Sequence, residues 1–439
     1  MTNDGRTIIL GGGMSGLATA YYLESPSVVL EASRTAGGLC RSYTKDRFTY
    51  DIGGHIMFSK NEWVREEMKG WLAGNVHRRT RKNDIWYKDR FVKYPFENGL
   101  YALEKEEIFE IIWSFLQRDD RPVRHLKDWC YARFGAGLAD KYLIPYNRKV
   151  WKRDPAEMSV HWVERVPSPP DEDVLKSALG ITTEGYKFQL HFHYPKTGGY
   201  ESIVRSLEHR LSDVVTGFRA ETIWKRGDEW HVSDGRRTVA GTRLVSTIPL
   251  VELMKCLKGV PQVVQNAAEH LVHNSLIVVL LGVNHDGLTG KTATYFPDPD
   301  VLPNRVCYMR GFSEANAPEG CSSLIAEITV RPDSGLLEEP EDLVIERVAE
   351  QLKDVCGYST NEVISTDLLR VRYAYPVYDL EYEKNTQILY DYLDSISIYF
   401  TGRFGAHKYV NSDRCVEFAR DLALALNQGD APERDWTHL

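Results

Sequence analysis

The chain opens with short, wholly apolar runs separated by a glycine turn and a helical stretch. Ile8-Ile9-Leu10 is an apolar run of the kind expected in a buried parallel strand, Leu17 to Leu23 reads as helix, and Val28-Val29-Leu30 reads as a second buried strand. Farther along, Leu103 to Leu116 carries apolar residues at helical spacing, and His125 to Phe134 continues as helix after a polar break. The stretch Ser168 to Glu184, with Pro169-Pro170-Asp171-Glu172-Asp173, reads as a mobile loop. Asp213 to Ile248 alternates like strands around a turn at Ser233-Asp234-Gly235. Ser275 to Gly282 and Ser323 to Val330 read as strands, with Pro340 to Cys356 as a helix among them. Ile396 to Thr401 predicts a strand. The closing helix starts near Asn411-Ser412-Asp413, ends near Gly429, and buries Cys415, Phe418, Ala419, Leu422, Ala425 and Leu426.

A length of 439 residues suits two or three closely packed domains, and the composition is that of an ordinary globular protein. The net charge is −8 with acidic residues spread throughout, which argues against nucleic acid as a partner but leaves room for an anionic ligand held by local arginines. Seven cysteines, scattered and without CxxC spacing, point to reduced thiols in a cytoplasmic protein rather than to disulfides or a metal site. The first strand starts about eight residues in, leaving no room for a signal peptide. The longest apolar run, Leu276 to Val283, is too short to cross a membrane. A homo-oligomer is compatible with the sequence.

Between the first two strands stands Gly11-Gly12-Gly13-Met14-Ser15-Gly16. Gly11, Gly13 and Gly16 have the spacing that allows, in turn, a tight turn, close approach of a pyrophosphate, and helix–strand packing. Met14 and Ser15 open the helix whose N-terminus favours the diphosphate. Glu31, twenty residues after Gly11 and followed by Ala32, stands where an acidic side chain meets a ribose hydroxyl. A second glycine pair, in Ala36-Gly37-Gly38-Leu39, lets backbone approach the diphosphate from another side and points to FAD over NAD. This pattern resembles the amine-oxidase and glutathione-reductase-like flavoproteins. The resemblance implies an α/β protein with a discontinuous, Rossmann-like FAD-binding domain of that type, a helical insertion and an antiparallel-sheet substrate domain. The corresponding boundaries are 1–90 with 196–250 and 390–439 for the FAD-binding domain, 91–195 for the mainly helical substrate domain and 251–389 for the mixed antiparallel-sheet one. It also implies cofactor contacts at Val215, Gly402, Arg403, Asn411 and Ser412, with the dipole of the closing helix acting on the reduced flavin.

Asp51-Ile52-Gly53-Gly54-His55-Ile56-Met57-Phe58 follows the FAD motifs. It resembles the Gly-Gly-His loop of the UDP-galactopyranose mutase family, especially the eukaryotic-type branch. Tyr94-Pro95-Phe96, Pro145 to Trp151, Glu164-Arg165-Val166, Tyr295-Phe296-Pro297 with Arg305, and Gly402-Arg403-Phe404-Gly405 with Tyr409 and Asn411 resemble further motifs of that family, in the same order. The residue types suit a sugar diphosphate. Arg165 and Arg305 can bind phosphate oxygens through paired N–H groups. Tyr295, Tyr375 and Tyr409 can donate further hydrogen bonds, and Asn147 and Trp151, four apart, share a helical face.

The resemblance implies an isomerase: a mutase that interconverts pyranose and furanose forms of a nucleotide sugar through a flavin N5–sugar adduct on reduced FAD. It assigns catalytic importance to His55, Arg165 and Arg305. Substrate contacts fall to Phe58, Tyr94, Phe96, Glu97, Asn147, Trp151, Arg165, Gln189, Tyr295, Arg305, Tyr375, Arg403 and Tyr409. His55 is assigned a hydrogen bond near the flavin rather than the part of an obligate base. Lacking a second GxGxxG, the chain would take reducing equivalents from transiently bound NADPH or NADH, or from another donor.

Three positions depart from the family pattern. Glu97 stands where the family tends to place a glutamine that recognises uracil, Gln189 where an asparagine is expected, and Ala293 where an aromatic is expected. A carboxylate only accepts hydrogen bonds, which suits guanine better than uracil, so the partner is a UDP-sugar or, given Glu97, a GDP-sugar. The alternative is an FAD-dependent oxidoreductase of the amine-oxidase or protoporphyrinogen-oxidase type, which accounts for residues 8 to 55 but not for the ordered Arg and Tyr motifs.

Overall fold

The computed structural model describes residues 5–119, 121–163, 166, 168–185, 190–288 and 290–429. Its organising element is a five-stranded parallel sheet in the order Ile398–Phe400, Arg243–Ser246, Thr7–Leu10, Ser27–Leu30, Val214–Val215. Three distant stretches of chain thus build one sheet. Alternate residues feed opposite faces: Ile9, Val29 and Val245 join one core, and Ile8, Leu10, Val28, Leu30 and Leu244 join another. Burial on both faces is why these strands read as continuous apolar runs. Helix Met14–Tyr22 lies on the first face against Ser412–Gln428, which buries Cys415, Val416, Ala419, Leu422, Ala423 and Leu426. A three-stranded antiparallel sheet (Thr222–Arg226, Glu229–Ser233, Thr238–Gly241) contributes Ile223, Trp230 and Val232 to the second core.

The second large unit is a seven-stranded sheet in the order Val363–Pro376, His273–Val283, Ser322–Val330, Arg305–Tyr308, Ala293–Tyr295, Asn83–Tyr87, Arg90–Lys93. Its pairs are antiparallel except where Ala293–Tyr295 runs parallel to Asn83–Tyr87, so the sheet is mixed. Leu324, Ala326 and Ile328 face helix Glu341–Cys356 through Val344, Val348 and Leu352. Ile325 faces the other way, into the core shared with the parallel sheet, and Glu327 shares its side of the strand. Residues 83–93 therefore sit at the edge of this sheet, whereas the sequence places most of them with the FAD-binding part. The pairing of Thr294 with Asp84 spans 210 residues, and no local pattern announces it.

Helices Lys105–Leu116 and Leu126–Leu138 cross closely where Gly135 and Gly137 meet Ser114; a Cβ on Gly135 would stand 2.5 Å from the Ser114 carbonyl oxygen. A π-helical turn, Ala139–Leu143, then re-aims the chain into helix Ile144–Trp151. Within the stretch expected to be loop, Asp171–Ala178 is a helix. Pro170 precedes it, and Asp171, Glu172 and Asp173 occupy its first turn, where negative charge favours the helix dipole.

Candidate functional site

One cavity of about 1320 Å³ runs from the glycine turns to the edge of the seven-stranded sheet. That exceeds the roughly 300–1,000 Å³ of a site for one small ligand and suits a dinucleotide with a second molecule beyond it. At one end Gly11, Gly13, Met14, Ser15, Glu31, Ala32, Gly38 and Leu39 line it. The two glycine turns are joined by the Gly37 N–H donating to the Gly12 carbonyl at 2.7 Å. Gly13 and Gly38 lie face to face, and a Cβ on Gly38 would stand 3.1 Å from the Gly13 Cα. Bare backbone is thereby presented to the cavity from both turns, as a diphosphate cradle requires. Glu31 is fixed at the wall, its two oxygens accepting from the Gly12 and Ser33 amides at 2.7 Å each. Arg41 lines the cavity beside Gly38, whose carbonyl its Nε contacts at 3.1 Å. Asn411, Ser412 and Asp413 bring the start of the closing helix to the wall.

The middle of the cavity is lined by Gly53, Gly54, His55 and Phe58. Asp51, at the root of this loop, is fully buried and accepts from the Ser42 hydroxyl at 2.5 Å, the Tyr194 hydroxyl at 2.6 Å and the Tyr200 amide at 3.1 Å. Burial pushes its carboxyl up to about 6. His55 stacks on Tyr200 at 5.3 Å, and its Nδ1 has no hydrogen-bond partner among the described residues. Burial, helped by Arg403 and Arg305, pushes this imidazole down to about 4, so it is neutral at physiological pH. The Gly54 amide donates to Glu327 at 2.9 Å, and Glu327 is gripped by Arg305. Burial alone would raise the Glu327 carboxyl; Arg305 and the Gly54 amide hold it below its ordinary value.

The far end is aromatic. Tyr94 stacks on Tyr295 at 4.5 Å, and Tyr146 meets Tyr295 edge-on at 5.8 Å. Trp151 donates through Nε1 to the Asn147 side-chain oxygen Oδ1 at 3.1 Å, and Asn147 donates in turn through Nδ2 to the Leu143 carbonyl at 2.8 Å. Trp151 also meets Tyr409 edge-on at 5.4 Å. The Arg403 guanidinium lies over the Tyr409 and Tyr375 rings, at 4.6 and 5.2 Å, and donates to the Val410 and Ala374 carbonyls. Its Nε–H has no hydrogen-bond partner among the described residues. Glu97 enters the lining beside Tyr94 and Pro95.

The structure thus brings most of the sequence-predicted residues to one cavity, Tyr375, Arg403 and Tyr409 included. Four lie behind its wall. Gly16 closes the helix–strand turn, and a Cβ there would stand 1.9 Å from the Gly11 carbonyl oxygen. Gly402 packs on Ser15, and Val215 is drawn into the parallel sheet, its carbonyl accepting from the Glu31 amide. Phe96 is a fully buried core aromatic stacked on Tyr142 at 4.7 Å, not a residue of the lining. Arg165 and Gln189 lie outside the described residues. Sequence reasoning missed Glu327, Asp51 and Arg41. Glu327 carried a readable signal, a lone charge in the apolar run Ser323 to Val330. Among the described residues no group of His, Cys, Asp and Glu could hold a metal ion, and no helix is long and apolar enough to cross a membrane.

Comparison with known proteins agrees with the cradle. The chain is 39% identical over 71 residues to an L-amino-acid oxidase of Sistrurus catenatus edwardsii, a stretch covering 16% of this chain and 14% of that protein. It is 38% identical over 90 residues to an L-amino-acid oxidase of Crotalus adamanteus, covering 20% and 17%. The chain therefore matches under a fifth of the length of these relatives. Among solved structures, reduced UDP-galactopyranose mutase superposes with a TM-score of 0.89 at 26% identity, over 99% of this chain and 97% of that one. Putrescine oxidase bound to putrescine superposes with a TM-score of 0.65 at 16% identity, over 96% and 98%, a likeness of fold. The cofactor is FAD, and the paired glycine turns and Glu31 are the residues that fit it. Residues 14–395 match the model of the flavin-containing amine oxidoreductases, and the chain belongs to that family.

Proposed function

We propose that the chain is a flavin-dependent nucleotide-sugar mutase, an isomerase that interconverts the pyranose and furanose forms of an NDP-sugar. The observation that carries this reading is the continuity of one cavity from the FAD cradle to a chamber walled by Tyr94, Tyr295, Trp151, Tyr375, Tyr409 and Arg403. The overall likeness to reduced UDP-galactopyranose mutase supports it. Reduced FAD, when bound, supplies the nucleophile for the anomeric carbon, in an exchange that is redox-neutral overall.

The protein's part is to hold the sugar and its leaving diphosphate. The Arg403 Nε–H, without a hydrogen-bond partner among the described residues and set over the Tyr375 and Tyr409 rings, offers a charged donor for a phosphate oxygen. Burial keeps the Tyr375 hydroxyl protonated, and therefore a donor, far above neutral pH. Neutral His55, with Nδ1 unpaired, offers a hydrogen bond at the centre of the cavity without adding charge. Asn147 and Trp151, each bonded to the other, present one rigid face to the sugar.

The reading is tested by incubating the dithionite-reduced holoprotein anaerobically with a panel of nucleotide sugars, adding cyanoborohydride, and weighing the released flavin. A gain of one hexose, pentose or heptose mass is expected. No gain with any nucleotide sugar, together with reduction of the oxidised flavin by an amine or amino acid, would replace the mutase by an oxidoreductase.

A further inference from the structure

Glu97 is a carboxylate buried to 2% exposure that lines the substrate end of the cavity. Its Oε2 has no hydrogen-bond partner, and no Lys or Arg lies within ion-pairing distance among the described residues. Arg133 acts on it only from farther off and is committed to Ser168, Pro169 and Asp171. Burial pushes the Glu97 carboxyl up to about 7. A buried acceptor without a donor is costly, and one at a cavity wall marks where a ligand's N–H groups belong.

The loop carrying Glu97 is held in place. The Asn98 side chain donates through Nδ2 to the Thr183 hydroxyl at 2.6 Å, and Lys93 donates to the Thr183 carbonyl and Glu184 at 2.5 and 3.0 Å. Gly185 lies so near that a Cβ would stand 2.1 Å from the Asn98 side-chain oxygen. The surrounding walls are flat: Tyr94 stacks on Tyr295, and Tyr142 stacks on Tyr146 at 5.5 Å, all four in the lining. Such walls take a planar heterocycle.

We infer that Glu97 selects guanine, accepting from N1–H and the 2-amino group on the two oxygens of its carboxylate. The inference rests on the mutase reading and names the nucleotide of its substrate. Guanine alone among the common neutral bases offers a ring N–H and an exocyclic NH₂ side by side. Uracil flanks its N3–H with two carbonyls, and adenine and cytosine set a ring-nitrogen acceptor beside the amino group, so each would turn a lone pair toward the carboxylate.

The test is calorimetric titration of the holoprotein with GDP, IDP, UDP, CDP and ADP, repeated on Glu97→Gln. GDP should bind about ten- to a hundredfold tighter than UDP. IDP, which lacks the 2-amino group, should fall between, and Glu97→Gln should abolish the preference for GDP. The wild-type series decides the matter even if the variant does not fold. UDP binding as tightly as GDP would overturn the inference and leave the mutase reading standing. If none of the five binds, both fall together.

Discussion

Arg305 and Glu327 face each other in register on neighbouring antiparallel strands, and the guanidinium holds both carboxylate oxygens, at 2.9 and 2.7 Å. The resemblance assigns Arg305 to the diphosphate, but its Nε and Nη2 are committed to Glu327, leaving Nη1 as the edge free of that carboxylate. The pair also fixes the flavin-side loop, because one Glu327 oxygen accepts from the Gly54 amide. Removing one partner of a buried ion pair leaves an uncompensated charge and costs about 3–5 kcal/mol. Glu327→Gln should lower the melting temperature of the holoprotein accordingly. Arg305→Met with Glu327→Leu should cost much less than the two single changes summed. Strictly additive losses in this double-mutant cycle would mean the residues do not act as a pair.

Gly16 shows why the glycine turn resists substitution. The Cβ of Gly16→Ala would stand 1.9 Å from the Gly11 carbonyl oxygen, backbone that cannot swing aside as a side chain can, with the Thr247 hydroxyl a further 3.2 Å contact. The variant should purify with its flavin content reduced at least tenfold, read from the ratio of flavin to protein absorbance. Gly74→Ala is the control. Gly74 has φ +88° with nothing within 4 Å of its added Cβ, so the change strains backbone without touching the cradle. A Gly16→Ala protein that retains full flavin would refute this account of the turn.

These two cases also mark what was legible in the sequence. The cradle is local: its strands, glycines and Glu31 fall within residues 8 to 39, so spacing alone locates them. The aromatic and arginine motifs are legible for the same reason, each being a short run of distinctive chemistry. What escaped is non-local or hidden by a stronger signal. The Arg305–Glu327 pairing depends on strand register, and the placement of residues 83–93 depends on a parallel pairing with Ala293–Tyr295. Phe96 inherited a ligand role from its neighbours Tyr94 and Glu97 although it points into the core. At Asp171–Ala178 two prolines read as loop, while the acidic first turn behind them starts a helix.

The seven cysteines are all free thiols, and six of them are buried. Cys256, half-buried at the end of helix Leu250–Cys256, is the exception; its thiol contacts the Ala220 carbonyl at 3.1 Å. Burial pushes the Cys130 thiol up to about 12 and Cys356 up to about 11, suppressing the reactive thiolate. Partial burial raises the Cys256 thiol as well, so native holoprotein treated with a thiol-exchange chromophore should show one group that reacts ahead of the others, though more slowly than a fully exposed thiol, and that is lost in Cys256→Ser. The remaining six should react only after denaturation. Several fast thiols in the native protein would contradict the burial described for Cys40, Cys307 and Cys415.

Glu97 makes its own prediction for stability. Its carboxyl is raised from 4.5 to about 7 on folding, so the folded protein holds a proton that the unfolded chain releases between those values. The neutral acid therefore favours the fold fully below about pH 4.5, and that contribution is lost as pH rises through 7. At pH 8 the buried carboxylate of the nucleotide-free protein should cost up to about 3 kcal/mol, which Glu97→Gln would recover. The variant should melt above the wild type at pH 8 and converge with it near pH 4.5. Saturating GDP should close the gap at pH 8 by supplying the missing donors to the wild type. Melting curves offset by the same amount at every pH would show that Glu97 does not titrate in this range, and its burial would then need another explanation.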